Sequence, residues 1–149
     1  VGRVVRGTSR QGPVTGAFLD TSGWFAALSP KEARHRGALA AYKSLIDRRV
    51  RLVTTNLVVA EMQILISRFR GAAEGVRFLD SLYQDLSHEV VFVDRDTERM
   101  AVDRWLRRFT DQRLSLADAV SFEVMKARRL RHALALDTHF ELAGFELLP

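Results

Sequence analysis

The sequence predicts an α/β fold, a parallel sheet with helices on both faces, carried by a single domain. Short apolar runs that suit strands alternate along the whole chain with longer segments of helical period. Residues 17–19 and 133–136 are apolar on both faces, as a strand covered from both sides must be. With 149 residues, 47% of them hydrophobic, the chain has the size of one domain with a full core.

Residues 1–16 contain five backbone punctuators, Gly2, Gly7, Gly12, Pro13 and Gly16, with Arg3, Arg6 and Arg10 and no acid. They have no usable period and few large apolar side chains, so a disordered basic tail is expected there and a domain over 17–149. A strand ends at Asp20, and residues 21–28 follow as a short helix. Ser29-Pro30 is expected to open a second helix running to about Arg49, with Pro30 in its first turn. Its apolar positions Ala38, Leu39, Tyr42, Leu45 and Ile46 recur at helical spacing.

A second strand spans 51–54, and Asn56 starts a helix that ends near Arg68 and Arg70. The next helix is placed at 71–87, with Val76, Leu79, Leu82, Tyr83 and Leu86 along one side. After a strand at 90–93, residues 94–109 read as an amphipathic helix through Val102, Trp105, Leu106 and Phe109. Asp94, Asp96 and Glu98 at its start and Arg104, Arg107 and Arg108 at its end complement the helix dipole. Residues 115–129 form a further helix, 133–136 a strand that ends in Asp137, and 145–148 a terminal strand.

Composition removes several chemistries. The chain has no cysteine, so disulfides, thiol catalysis and thiolate metal sites are excluded. No apolar run is long enough to cross a bilayer, and a soluble, cytoplasmic protein is expected. Lys+Arg is 23 against Asp+Glu 18, a net charge of +5 that fits a polyanionic partner such as nucleic acid. His35, His88, His132 and His139 share no metal-ligand spacing, and His139 reads as a surface residue. Neither a glycine-rich phosphate loop nor a Gly-x-Ser-x-Gly nucleophile turn is present.

Four acids stand out. Asp20 and Asp137 each follow a buried strand and precede a helical turn, where Asp also serves as a cap. Glu61 lies among Leu57, Val58, Ile64 and Leu65, so its charge requires an arginine, hydrogen bonds or a metal. Asp118 stands three residues after Ser115, the spacing of a capping box. Asp103 reads as a surface charge and Asp111 as a loop acid. Capping explains several of these one at a time, but not why all four fall where a parallel sheet presents its carboxyl edge. Converging there, they would repel one another, and a hard divalent cation, Mg²⁺ or Mn²⁺, would relieve the repulsion. Thr21, Ser22, Thr55, Asn56 and Ser115 are near enough in sequence to orient ligands or waters. Such a site suits metal-assisted hydrolysis of a phosphodiester.

The chain resembles the PIN-domain ribonucleases, and among them the compact VapC-type toxins of bacterial toxin–antitoxin pairs. Four blocks carry the resemblance: Phe-Leu-Asp-Thr-Ser-Gly-Trp with Asp20, Thr-Thr-Asn-Leu-Val-Val-Ala-Glu with Glu61, Leu-Ser-Leu-Ala-Asp-Ala with Asp118, and Ala-Leu-Asp-Thr-His-Phe with Asp137. It implies a PIN-like three-layer sandwich and a Mg²⁺- or Mn²⁺-dependent endoribonuclease whose metal is held by Asp20, Glu61, Asp118 and Asp137. It also implies a supporting Thr21 or Ser22, a homodimer, and a small antitoxin protein that covers the site. Trp24, Phe25, Tyr42 and Leu45 offer apolar contacts to such a partner or to the domain core. Many relatives carry Thr or Ser two residues before the last acid, where this chain has Ala135.

Other readings stay open at this stage. One is a housekeeping or non-catalytic PIN-domain RNA-binding protein. Another is a phosphoryl-handling domain, which would want an acid paired with Asp20 or a lysine at a strand end; Lys31, Lys43 and Lys126 are at none.

Overall fold

The computed structural model describes residues 14–148. Five strands, β1 (Gly16–Leu19), β2 (Arg51–Thr55), β3 (His88–Val91), β4 (His132–Leu134) and β5 (Glu146–Leu148), form one parallel sheet in the order β3-β2-β1-β4-β5. Phe18 pairs with Val53 on one side and Ala133 on the other, so β1 is central and wholly buried after Gly16.

Helices α1 (Thr21–Leu28), α2 (His35–Asp47), α3 (Asn56–Arg70) and α4 (Ala72–Gln84) lie on the connections that lead from β1 through β2 to β3. Helices α5 (Arg95–Ala101), α6 (Leu116–Ala127) and α7 (His139–Leu142) lie on the connections that return to β4 and β5. Because the crossovers reverse direction and parallel crossovers are right-handed, the two sets cover opposite faces. Their contacts agree: α1 packs on α2 and α3, α3 on α4, and α6 on α5 and α7. The strand order reverses between β1 and β4, and at their carboxyl ends the two connections diverge and leave a crevice.

The core joins Phe18, Leu19, Trp24, Phe122 and Phe140, all fully buried. Phe122 meets Phe140 edge-on at 5.1 Å and Trp105 at 5.0 Å. Trp24, Phe25 and Leu45 are core residues, 1%, 9% and 1% exposed, and Tyr42 is half-buried against His88. They are not a surface for a partner. Gly23 seats α1 against β4: a Cβ there would run into the Leu134 carbonyl and come within 2.7 Å of Ala135 N.

Several expected boundaries move. Helix α2 starts at His35, because Ser29 before Pro30 is held extended, with φ −119° and ψ 100°. Residues 29–34 make turns instead, and the His35 ring bonds the Ala26 carbonyl at 2.8 Å. Helix α4 stops at Gln84, where Asp85 accepts the N–H and hydroxyl of Ser87 at 2.9 and 2.6 Å. Of the residues expected along one side of this helix, Leu86 lies beyond its end and is fully exposed, and Val76 and Tyr83 are also turned outward. Strand β3 begins two residues earlier than expected, at His88, and Phe92 beyond it is 68% exposed. Asp94 caps α5 by accepting the Thr97 N–H, but Val102–Leu106 is a π-helical turn. That turn directs the Trp105 N–H to the buried Glu123 carboxylate at 2.9 Å. Most of the expected tail at 1–16 lies outside the described residues; within them, Val14 packs on the core and Gly16 already pairs with Arg51.

Candidate active site

Asp20 follows the last residue of β1, and its N–H is bound by the Leu134 carbonyl of β4 at 3.1 Å. Both local readings of this residue hold together. Its carboxylate caps α1 by accepting the Ser22 N–H at 3.2 Å and the Ser22 hydroxyl at 2.6 Å. It is also 6% exposed, deep in the crevice. Burial pushes its pKa up to about 6; the Ser22 bonds oppose the shift, and the Asp118 and Glu61 charges add to it. Glu61 and Asp118 therefore both lie within electrostatic reach of Asp20.

Glu61, on α3, is half-buried and takes a hydrogen bond from the Thr21 hydroxyl. No arginine pairs with it among the described residues, so the buried ion pair considered from sequence does not form. Its helical neighbour Ile64 is 56% exposed, so this face is less buried than its apolar residues suggest.

Asp118 is half-buried at the start of α6. Ser115 and Asp118 make a full capping box: the Ser115 hydroxyl accepts the Asp118 N–H and the Asp118 carboxylate accepts the Ser115 N–H, each at 3.0 Å. Ser115 thus supports the site through the helix start. Asn56 accepts the Val93 N–H at 3.0 Å and meets none of the acids among the described hydrogen bonds. Thr55 caps α3 through Val58 N–H at 3.2 Å. Asp103 is an exposed partner of Arg107, and Asp111 is an exposed loop residue.

Asp137 is displaced from its expected place. Strand β4 ends at Leu134, and Asp137 lies beyond it in the loop before α7. The Ser22 hydroxyl holds this loop by accepting the Leu136 N–H at 2.9 Å. Ala135 is 1% exposed and supplies no hydroxyl. Asp137 accepts the His139 N–H at 2.9 Å, and the His139 Nδ1 is 3.0 Å from its Oδ1.

His139 is the residue that sequence reasoning left on the surface. Its Nδ1 also lies 3.8 Å from Asp118, and ligand atoms of Asp118, Asp137 and His139 all fall within 4.8 Å of one another. The signal was available: a histidine two residues after an acid, at the first turn of a helix, reaches back to that acid.

Hydrogen bonds and short ion contacts thus link Thr21 with Glu61, Ser22 with Asp20 and Leu136, and His139 with Asp137 and Asp118. Hard carboxylate oxygens with one imidazole nitrogen, and a buried aspartate whose charge lacks a cationic partner, fit a divalent cation.

A parallel α/β domain with an acidic crevice at its strand-order reversal defines a class of proteins that bind ligands at the carboxyl ends of their strands. The chain belongs to the PIN domain family, which residues 17–146 match. It is 32% identical over 133 residues to the 23S rRNA-specific endonuclease VapC20 of Mycobacterium tuberculosis, covering 86% of this chain and 94% of that one. It is 24% identical over 127 residues to a VapC ribonuclease of Archaeoglobus fulgidus, covering 85% and 80%. The crystal structure of M. tuberculosis VapC20, described as a sarcin–ricin loop cleaving toxin, superposes with a TM-score of 0.75 at 31% identity, over 87% of this chain and 96% of that one. FitAcB from Neisseria gonorrhoeae shares the fold, with a TM-score of 0.65 at 17% identity over 89% and 96%. Among the described residues no helix is long and apolar enough to cross a membrane.

Proposed function

We propose that this chain is a Mg²⁺- or Mn²⁺-dependent endoribonuclease, the toxin of a toxin–antitoxin pair, with residues 17–149 as its single domain. The observation that supports the reading is the buried Asp20 carboxylate, which feels the charges of Asp118 and Glu61, beside the close group of Asp118, Asp137 and His139. Those four acids would hold the metal. A divalent cation held there would offset the charge of the carboxylates and would supply Lewis-acid activation for phosphodiester hydrolysis.

The chain's own residues do the positioning. Ser22 fixes the Asp20 carboxylate and the Leu136 backbone with one hydroxyl, and Thr21 orients Glu61. His139 orients Asp137. The similarity to an enzyme named for 23S rRNA makes structured ribosomal RNA the first substrate to test. Ribosomal RNA as the substrate would call for a cytoplasmic location. Exposed Ile64 and Phe69 on α3 support a homodimer, and the kinship with VapC-type proteins supports control by a small antitoxin.

The test is incubation of the purified protein with total RNA in Mg²⁺, Mn²⁺ or chelator. Discrete cleavage with metal and none with chelator is expected. Cleavage that survives in the Asp20→Asn, Asp118→Asn and Asp137→Asn variants would overturn the assignment.

A further inference from the structure

The opposite edge of the sheet carries charge of the other sign. Two connections enter β2 and β4 by the same device, Arg48-Arg49-Val50-Arg51 after α2 and Arg128-Arg129-Leu130-Arg131 after α6. In the first, Arg49 N–H bonds the Ile46 carbonyl and Val50 N–H the Leu45 carbonyl, both at 2.9 Å. In the second, Arg129 N–H bonds Lys126 at 3.1 Å and Leu130 N–H bonds Met125 at 2.9 Å. Both are Schellman turns closed by a buried aliphatic residue, Val50 or Leu130.

Such a turn needs a left-handed residue, and glycine suits it best. Here the left-handed positions hold Arg49 and Arg129, with φ 54° and 55°. The backbone would be easier with glycine at both, and the arginines there place a guanidinium on each turn. Both arginines are exposed, and neither has an ion-pair or hydrogen-bond partner among the described residues.

The two turns flank β1. Gly16 pairs with Arg51 and Ala17 with His132, which sets Arg51 and Arg131 on either side of one strand, about 10 Å apart at two strand spacings. Between them lies an open cavity of about 230 Å³ lined by Arg51, Arg128, Arg129 and Arg131. The counter-charges are fewer than the arginines. Glu89 is shared by Arg51 and Arg128, Glu146 by Arg131 and His132, and Asp47 stands at the end of α2.

We propose that this arginine rim, at the amino-terminal edge of the sheet and remote from the acidic crevice, is a second nucleic-acid contact that anchors the phosphate backbone of RNA. Guanidinium groups pair with phosphates in two bonds at once. A protein partner would need apolar anchors, and of the exposed large hydrophobic residues only Ile46 belongs to these turns. The inference shares its substrate class with the proposed function but uses no residue of that site.

Binding of a fluorescein-labelled RNA hairpin, followed by anisotropy in chelator, separates the two. The variant Arg49→Gly/Arg129→Gly removes both free guanidiniums while giving the turns their preferred residue, so its melting temperature should equal or exceed that of the parent. Its affinity should fall by roughly tenfold at about 50 mM salt, and the slope of log K against log salt should shrink by about 2. An Arg36→Ala/Arg77→Ala variant of equal charge on α2 and α4 should lose much less. Equal losses in both variants, or an unchanged salt slope, would overturn the proposal. So would unchanged RNA affinity with loss of binding to a labelled polyglutamate peptide, which would make the rim a protein contact. Since no metal and no cleavage enter, an inactive enzyme would still report on the rim.

Discussion

The Ser22 hydroxyl accepts the Leu136 N–H at 2.9 Å, a contact between residues 114 positions apart. The same oxygen donates to Asp20 at 2.6 Å, so one side chain ties the first acid to the loop that carries the last. Ser22→Ala leaves the Leu136 N–H without its partner and removes the hydroxyl bond to Asp20, while the backbone N–H bond to that carboxylate stays. A loss of about 1–3 kcal/mol in urea unfolding is expected, the usual cost of an orphaned buried donor. Calorimetry should show weaker Mn²⁺ binding as well. A variant with native stability and native Mn²⁺ affinity would contradict the bridging role.

Asp20 makes the metal-free protein pH-sensitive. Its folded pKa of about 6 lies above an unfolded value near 3.8, because burial disfavours the charge. The folded state therefore holds this proton more tightly. Its stabilising effect is complete below about pH 4 and disappears as pH rises through 6, a swing on the order of 3 kcal/mol. Asp20→Asn keeps the cap, since Asn caps about as well as Asp, and should flatten that part of the curve. It should also lose metal-dependent cleavage by at least ~100-fold. Denaturant melts from pH 3.5 to 7.5 in chelator check the first expectation and RNA cleavage the second.

His139→Ala should lower Mn²⁺ affinity by roughly tenfold, as loss of a residue that orients a ligand does. The ring is partly exposed, so the melting temperature in chelator should change little. Isothermal titration measures the first and thermal melts the second. Unaltered Mn²⁺ binding would return His139 to the surface role first read for it.

Much of the frame is legible in the sequence alone. The strand before Asp20, the start of α3 at Asn56 and the capping box at Ser115 all follow from local chemistry, and they stand where expected. What was not legible depends on distant partners. Leu86 matches the helical period of its neighbours, yet the Asp85–Ser87 turn ends the helix before it. Trp24 and Phe25 look equally suited to core or interface, and only their packing under α3 and α4 decides. Asp137 reads as a strand end because Leu134, Ala135 and Leu136 are all apolar, while a serine from α1 takes the backbone bond that a neighbouring strand would otherwise have taken.

Glu123 is 4% exposed and takes hydrogen bonds from Trp105 at 2.9 Å and Arg104 at 3.1 Å. Glu123→Ala orphans the buried indole N–H and leaves a cavity, so a loss of about 2–4 kcal/mol is expected. Glu123→Gln, which still accepts from Trp105, should cost less than half as much. Chemical denaturation of the two variants side by side tests the order.

Gly23→Ala should be more severe than either, because its Cβ meets the Leu134 and Ala135 backbone rather than a movable side chain. A loss above ~3 kcal/mol, or failure to fold, is expected from overpacking against a fixed strand. Expression yield and circular dichroism decide it.

That close seat gives the crevice one fixed jaw. With α1 locked onto β4 and Ser22 clasping Leu136, Asp20 and the approach to Asp137 move as a single rigid piece. Asp118 hangs from a different part, the tip of α6, whose first residue Leu116 and cap Ser115 are exposed. The gauge of the jaw is therefore set by where α6 rests. Its resting place is set by the buried face from Ala119 to Met125, which includes the Glu123 held by Trp105 and Arg104, so changes along that face should retune the opening without altering the four acids.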